Sequence, residues 1–236
     1  VASYSGDGGP ATGATFNFPR GLYFEESTGS LYIADYFNHC IRMIDSEGKI
    51  STVAGDGTAG SSDDGGLATE AKLSYPNTIT GNNRGDIFLS ERYRIRKIGT
   101  DKKISTIAGN GAIGEPIDGE VATNSPLSLG TFSIAVNDAG EVFLTFVSDA
   151  GGPMVFKIGT DGRLRRFAGT GAKGFSGDEG PALAASFSKD LHVALGHSGE
   201  MYIADTYNYR VRMVNSSEII STIAGNENGK IFSGNE

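Results

Sequence analysis

The sequence is poor in cysteine, in long apolar stretches and in positive charge, and each shortage excludes a class of protein or partner. Its 236 residues include one cysteine, Cys40, so neither an intrachain disulfide nor a cysteine metal cluster can form. No apolar run approaches the length of a membrane-spanning helix, so we expect no membrane insertion. A formal net charge of −8 gives no general attraction to phosphate groups, so nucleic acid is not an expected partner.

Glycine, by contrast, is abundant: the chain holds 35 glycines and 7 prolines, spread along its length. They follow no three-residue period, which excludes a collagen-type helix. Glycine at this density is typical of many tight turns between short elements. We therefore expect an all-β protein built from short strands, without long helices.

Two sequence markers recur in the same phase through four copies of a repeat. The first is a turn glycine followed within two residues by an apolar residue and then an aromatic residue, and the second is an Ala-Gly pair that ends an alternating run. By subtraction, successive turn glycines are 56, 55 and 59 residues apart, which predicts a repeat architecture. The markers are Gly29, Gly85, Gly140 and Gly199, and Ala54-Gly55, Ala108-Gly109, Ala168-Gly169 and Ala224-Gly225.

Each copy contains four short alternating segments, which we interpret as antiparallel strands. In the first copy they run from Gly21 to Glu25, Ser30 to Ala34, Cys40 to Asp45 and Lys49 to Ala54. Both faces of each segment are partly apolar, as expected for a small sheet packed between two others. Four such units predict a β-propeller rather than a linear β-solenoid, whose repeats are usually far shorter. We interpret residues 1–236 as one propeller domain or fragment, with repeats at about 1–55, 56–109, 110–169 and 170–225, and a further repeat beginning at 226–236.

The connection before each repeat also recurs, as an acidic glycine turn followed by an alanine-rich segment. The first half is expected to form a tight turn, and the second half either one helical turn or irregular structure. An aromatic-proline pair follows in two copies, Phe18-Pro19 and Tyr75-Pro76. The connections read GDGGPATGA from Gly6, DGGLATEA from Asp64, DGEVATNS from Asp118 and GDEGPALAA from Gly177.

The repeat resembles the NHL repeat, in which an apolar strand ends at an Ala-Asp corner that contains an Asn and is followed by an Arg. The resemblance covers essentially the whole chain and implies a β-propeller, most often one of six blades. The Ala-Gly strand ends and the SGDGGPA connection resemble one subgroup of that family. The first copy carries Pro19, Gly21, Tyr32, Ala34, Asp35, Asn38 and His39, with Cys40 where the family usually has arginine. The fourth copy carries Tyr202, Ala204, Asp205, Asn208 and Arg210.

The two middle copies depart from this pattern. Glu91 replaces the corner Asp in the second copy, where the corner is two residues shorter, and Phe146 takes its place in the third, where residues 148–153 lengthen the corner. Four copies leave three arrangements open: a fragment of a larger ring, a ring of four blades, or two chains that complement each other. Unclosed blade edges would favour self-association.

The corner between the second and third strands is the most site-like feature of the repeat. Asp at the start of a turn accepts backbone N–H bonds, Asn tolerates a positive φ, and a nearby Arg can pair with the Asp. We therefore assign a structural turn role to Asp35, Asn38, Asp205 and Asn208. Exposed aromatic residues are enriched at protein interfaces, so the variable corner residues are the candidate contact surface. These binding candidates are Tyr36, Phe37, His39, Tyr93, Tyr207, Tyr209 and Arg210.

The sequence gives less support to a metal-binding site or a catalytic nucleophile. The three histidines, His39, His192 and His197, have no spacing that would make them converge on zinc. Glycine turns that contain Asp7, Asp63 and Asp64 lack the EF-hand spacing of a calcium loop. We expect Cys40 to be a packing residue, and we expect no catalytic residues, bound metal or cofactor.

Basic residues recur on the third strands, and we interpret them as solvated strand faces rather than an RNA-binding surface. They are Arg42, Arg96, Lys97, Lys157 and Arg212.

The sequence thus predicts a noncatalytic scaffold module that recognises a protein, or a glycan, through loops on one face of the propeller. The alternative is a metal-dependent hydrolase or lyase with a site on the propeller axis, and RNA binding is a third hypothesis. An Asn-Ser-Ser sequon at Asn215 favours an extracellular or extracytoplasmic setting.

Overall fold

The computed structural model describes residues 4–62, 64–127, 133–147 and 152–226. It confirms the predicted fold class, an all-β protein of four antiparallel four-stranded blades of the β-propeller type. The chain divides into two compact units, Val1–Gly114 with Ala122–Leu129 and Glu115–Val121 with Gly130–Glu236. Each unit contains two blades.

The first unit holds blades 1 and 2. In both, each strand pairs with the next along the chain, so hairpins make every connection within the blade. The strand ends predicted for the first repeat agree with the observed ones to within two residues. Blade 1 consists of β1 (Pro19–Glu25), β2 (Ser30–Asp35), β3 (Cys40–Ile44) and β4 (Ile50–Ala54), and blade 2 of β5 (Ile79–Gly81), β6 (Ile87–Ser90), β7 (Ile95–Ile98) and β8 (Ile104–Ala108).

The second unit holds blades 3 and 4, with the same hairpin order. Blade 4 gains a fifth, two-residue strand, which the preceding connection adds to its outer edge. Blade 3 consists of β9 (Ile134–Val136), β10 (Val142–Val147), β11 (Pro153–Ile158) and β12 (Leu164–Ala168). Blade 4 consists of β13 (Gly180–Pro181), β14 (Leu191–Leu195), β15 (Met201–Asp205), β16 (Arg210–Val214) and β17 (Ile219–Gly225).

The acidic glycine turns pair with the outer strand of the blade that follows them in sequence. In blade 2, for example, Gly65 N donates to Ile104 O at 2.7 Å. The alanine-rich halves form three-residue 3₁₀ turns at Ala11–Gly13, Ala68–Glu70 and Ala182–Ala184, the single helical turn allowed by the sequence. Within the described ranges, every helical segment is a three-residue 3₁₀ turn, and none could cross a membrane.

The Ala-Gly marker has a steric explanation at the end of the outer strand. Gly55, Gly109 and Gly225 adopt φ values of 93°, 89° and 87°, a region that residues with a Cβ rarely occupy. In addition, a Cβ on Gly109 would overlap the carbonyl oxygen of Tyr93 in the neighbouring corner. Only glycine fits a position where the outer strand passes this close to the corner backbone.

Each unit has its own apolar core. In the first unit, Leu73 and Leu89 are completely buried between the two blades, with Ile41 and Ile104. In the second, Phe187 and Ile203 occupy the corresponding layer. A fully buried side chain of this size contributes roughly 1.5–3 kcal/mol relative to an exposed one, so these residues hold neighbouring blades together.

Two expectations fall outside the described residues. Residues 148–151, most of the lengthened third corner, are not described, and neither are residues 227–236, nearly all of the segment in which we expect a fifth repeat.

Candidate binding surfaces

The blade 1 corner is held by hydrogen bonds that Asp35 forms with Asn38 and with the backbone. Asp35 is completely buried and accepts hydrogen bonds from the backbone N–H of Asn17 and from Asn38 Nδ2, both at 2.8 Å. Asn38 is also buried. These bonds tie the corner to the segment that enters the blade, so the aromatic residues between them have a defined position.

The blade 4 corner repeats this arrangement. Asp205 accepts from the backbone N–H of Ser188 at 3.0 Å and from Asn208 Nδ2 at 2.8 Å, and burial raises the pKa of its carboxyl. The expected pairing of the corner Asp with Arg is wrong. Among the described residues neither Asp35 nor Asp205 forms an ion pair, because backbone and amide donors already occupy both carboxylates.

The positive φ of the corner does not fall on Asn, as we expected, but on the next residue. Asn38 and Asn208 lie in 3₁₀ turns, whereas His39 and Tyr209 have φ values of 52° and 56°. Asn must keep a helical backbone so that its amide can reach the Asp three residues earlier. The strand reversal is therefore completed by a residue with a large side chain.

Five rings gather around the blade 1 corner in the first unit, and we call this cluster the aromatic platform. Tyr36 and Phe37 are at its centre, with ring centroids 4.9 Å apart. Tyr75 lies 5.3 Å from Tyr36 and 4.6 Å from His39, and Phe18 lies 5.4 Å from Phe37. Phe18 and Phe37 are 56% and 47% exposed, so the platform presents apolar ring surface to solvent.

Two arginines border the aromatic platform. The Arg20 guanidinium lies 3.9 Å from the Tyr36 ring centroid and donates to Asn77 Oδ1 at 2.9 Å. Arg92 lies 5.7 Å from Tyr75 and 5.4 Å from Tyr93, and so connects the predicted residue Tyr93 to the cluster. The structure thus brings four predicted binding residues of the first unit into one surface.

The candidates in the second unit are more dispersed. Tyr207 and Tyr209 are 54% and 46% exposed, and within the described part of the chain neither makes a ring contact. Arg210 stacks on Phe175, with 3.8 Å between its guanidinium carbon and the ring centroid, and donates to Asn208 O. Sequence reasoning missed Phe18, Tyr75 and Phe175. The aromatic-proline pairs were the available signal for the first two.

The structure overturns our interpretation of the third-strand arginines as solvated. Arg42 and Arg212 have no exposed surface and Arg96 is 1% exposed. Each guanidinium is paired with the Asp of the acidic glycine turn: Asp7, Asp64 and Asp178 at 2.6, 2.9 and 2.7 Å, respectively. The reason is that the turn folds over the outer strand and covers the arginine. In blade 3, Phe156 replaces this arginine.

These ion pairs also account for the carboxylates that we considered as calcium ligands. Asp7 and Asp64 accept hydrogen bonds from Arg42 and Arg96, whereas Asp63 lies outside the described residues. Lys97 and Lys157 are partly exposed and pair with Asp86 and Glu141.

The blade 2 corner contains a buried carboxylate beside an open cleft. Glu91, at the corner Asp position, accepts from Ser61 Oγ at 2.6 Å and lies 3.4 Å from Arg96 Nη1. Burial raises the pKa of Glu91, although Ser61 and Arg96 partly oppose the shift. The adjoining cleft has a volume of about 420 Å³. It is lined by Ser61, Ser62, Asp64, Arg94, Thr106, Gly109, Asn110 and Thr123.

Histidine and cysteine are scattered rather than clustered. His192 lies on β14, His197 precedes β15, and His39 contacts Tyr75, where burial lowers its imidazole pKa. Cys40 is completely buried at the start of β3, and burial raises its thiol pKa to about 12. Among the described residues, no three His, Cys, Asp or Glu side chains gather in a metal-binding group.

Comparisons with known proteins place this geometry among propellers. No family model matches the chain. It is 26% identical over 92% of its length to Teneurin-1 of Gallus gallus, of which it spans 9%. The chain thus covers less than a tenth of this curated relative.

Two solved structures share the fold at low sequence identity. A Bacteroides thetaiotaomicron protein of unknown function matches with a TM-score of 0.61 and 16% identity, over 86% of this chain and 47% of that one. Virginiamycin B lyase from Staphylococcus aureus matches with a TM-score of 0.52 and 15% identity, over 86% of this chain and 54% of that one. At these identities the likeness shows the propeller fold alone.

Proposed function

We propose that this chain is a binding module of the NHL type that recognises a protein partner through the aromatic platform. The observation that carries the proposal is the ring cluster around Tyr36 and Phe37, of which Phe18 and Phe37 are about half exposed. Contiguous exposed aromatic surface is costly in water and marks interaction sites. Aromatic side chains bordered by arginine are also the residue types that dominate binding energy at protein interfaces.

Three residues of the platform have a left-handed backbone conformation. Phe18, His39 and Tyr75 have φ values of 61°, 52° and 55°. Bulky residues in this region cost of order 1–3 kcal/mol each. Five described residues outside the platform share this conformation, among them Asp190 and Tyr209 at the equivalent positions of blade 4, so it is a feature of the repeat that orients the platform rings.

The platform is also preorganised. Tyr75 N–H donates to His39 Nδ1 at 3.3 Å, and Phe37 N–H donates to Asn17 O at 3.1 Å. Rings that are already ordered lose little further entropy on binding. We therefore assign recognition to Tyr36, Phe37 and His39, with Tyr93 at the edge, and a supporting turn role to Asp35 and Asn38.

The similarity to part of a much longer protein, Teneurin-1, supports a module that acts within a larger chain. We propose that residues 1–236 form one propeller domain in such a chain. The sequon at Asn215 lies in an exposed turn between β16 and β17, as N-glycosylation requires, which supports an extracellular setting.

Selection from a displayed peptide library tests the recognition proposal. Peptides that bind the wild-type protein should bind Phe37→Ala at least tenfold more weakly, because truncation of a hot-spot aromatic costs about 2 kcal/mol or more. Tyr207→Ala is the matched control, since Tyr207 holds the same corner position in blade 4 and is similarly exposed. If no peptide is enriched, or if the selected peptides bind both variants as well as the wild type, the proposal is wrong.

A further inference from the structure

The cleft in blade 2 lies where two other blades have an aromatic side chain. Counting three residues before the Asp of the acidic glycine turn gives Tyr4, Ser61 and Phe175 in blades 1, 2 and 4. In blades 1 and 4 this position holds an aromatic ring. In blade 2 it holds Ser61, which lines the 420 Å³ cleft.

Blade 2 keeps the arginine on which the ring stacks in blade 4, although the ring itself is missing. Ile95 pairs with Ala108 in blade 2 as Val211 pairs with Ala224 in blade 4, so Ile95 and Val211 are equivalent positions. The residue before each is an arginine, and Arg94 in blade 2 is therefore the equivalent of Arg210 in blade 4. Arg210 stacks on Phe175 with its guanidinium 3.8 Å from the ring centroid. The Arg94 side chain makes no hydrogen bond, ion pair or ring contact with any other described residue, although its charge acts on Glu91.

The Arg94 side chain lies against the backbone of Gly111. Gly111 has φ 88°, and a Cβ at this position would lie 2.7 Å from Arg94 Nη2. Glycines with a positive φ also stand at this position after blades 1 and 3, as Gly57 and Gly171, so the guanidinium lies against a backbone feature that the repeat shares. Thus Arg94 has a defined place but, within the described residues, no stacking partner.

We propose that this cleft binds an aromatic ring that carries a hydroxyl group, stacked on Arg94 in the way that Phe175 stacks on Arg210. A guanidinium over a ring face contributes about 0.5–2 kcal/mol, and more when water is excluded. The remaining walls carry hydroxyl and amide groups, from Thr106 and Asn110, which can hydrogen bond to a ring substituent. A volume of 420 Å³ is ample for one phenol ring.

This chemistry can come from a free phenol or from a tyrosine side chain of another protein. None of the five rings of the aromatic platform lines the cleft, so this site does not depend on the function proposed for that surface.

Ligand-observed NMR titration with p-cresol tests the proposal. Saturable binding is expected for the wild type, whereas 4-methylcyclohexanol, which keeps the hydroxyl but has no π face, should bind at least tenfold more weakly. N-acetyl-L-tyrosinamide is the second probe: binding at least as tight as that of p-cresol identifies a tyrosine side chain as the ligand, and binding of p-cresol alone identifies a small phenol. Equal affinity for p-cresol and 4-methylcyclohexanol, or no saturation, overturns the proposal.

Variants locate the binding. Ser61→Phe should fill the cleft and abolish p-cresol binding, while Ser61→Ala, which loses the same bond to Glu91 but leaves the cleft open, should retain it. Arg94→Leu should weaken binding at least tenfold, and Arg92→Leu in the same corner should not. Phe175→Ser, with folding checked by circular dichroism, should create a second p-cresol site beneath Arg210. Unchanged binding in both Ser61→Phe and Arg94→Leu would overturn the assignment to this cleft.

Discussion

Arg212 donates two hydrogen bonds to one oxygen of Asp178, from Nε at 3.1 Å and from Nη2 at 2.7 Å. The arginine has no exposed surface, and its remaining donors reach Ser176 O and Ser186 O. An acidic turn that precedes the blade is thereby fastened to the blade's third strand. Blades 1 and 2 have the equivalent ion pair, so the contact between the acidic turn and the third strand recurs in three repeats.

We predict that Asp178→Asn lowers the free energy of unfolding by about 2 kcal/mol at neutral pH. Removal of one partner of a buried ion pair typically costs about 3–5 kcal/mol, and the partial exposure of Asp178 reduces that figure. Asp7→Asn is the comparison variant, and it should cost less because Asp7 is 47% exposed and accepts a single bond from Arg42. Urea denaturation measures both, and an equal or larger effect of Asp7→Asn would contradict this account.

Gly109→Ala is predicted to destabilise the protein by about 3 kcal/mol. The substitution combines the strain of a positive φ, roughly 1 kcal/mol, with overlap between the new Cβ and the Tyr93 carbonyl oxygen. Gly65→Ala separates the two contributions, since Gly65 has φ 86° but no atom within 4 Å of an added Cβ. Gly65→Ala should therefore cost only about 1 kcal/mol. Similar melting temperatures for the two variants would show that the close approach at Gly109 is unimportant.

The raised pKa of Glu91 predicts a specific pH dependence of stability. Burial makes the folded state bind this proton more tightly than the unfolded chain does, so the contribution of Glu91 is most favourable at low pH. That contribution is lost as the pH rises from the unfolded pKa, about 4.3, through the folded pKa. Glu91→Gln removes the titration.

The melting temperature of Glu91→Gln, relative to the wild type, should accordingly increase between pH 4 and pH 7. Glu26→Gln, at an exposed glutamate, serves as the control and should show little change in this difference. A difference that falls with pH would mean that the ionised form of Glu91 is the one that the fold stabilises.

Cys40 is predicted to be unreactive in the native protein. The thiolate is the reactive species, and burial both raises the Cys40 pKa to about 12 and excludes reagent. A disulfide-exchange reagent at pH 8 should label the single thiol only as fast as the protein unfolds, and should label it at once in concentrated urea. Rapid labelling without denaturant would place Cys40 at the surface.

Much of the blade architecture could be predicted because its determinants are local. Gly29 and Gly199 mark hairpin turns at φ 68° and 87°. The strand that follows each of them is recognisable from the alternation of its side chains up to the corner Asp. The corner hydrogen bonds also join residues three apart, so Asp35 and Asn38 could be identified as a pair. Local hydrogen bonds leave their signature within a few positions of sequence.

The buried arginines could not be predicted in the same way, because their partners are distant. Arg42 and Asp7 are 35 residues apart, Arg96 and Asp64 are 32 apart, and Arg212 and Asp178 are 34 apart. On a strand taken alone, a basic residue suggests solvent. The near-constant separation in three repeats, with the arginine absent from blade 3, was the signal that could have identified the pairs.

The sequence by itself determined the number of repeats, the strands of each blade and the turns between them, because strand alternation and turn glycines act over short distances. The tertiary structure decided which polar residues are buried and which rings meet. Phe18, Tyr36 and Tyr75 form one surface only because the connection before blade 2 returns to the corner of blade 1. Arg94 faces an open cleft for a related reason: the ring that would cover it must come from a segment more than 30 residues away, and that segment supplies Ser61.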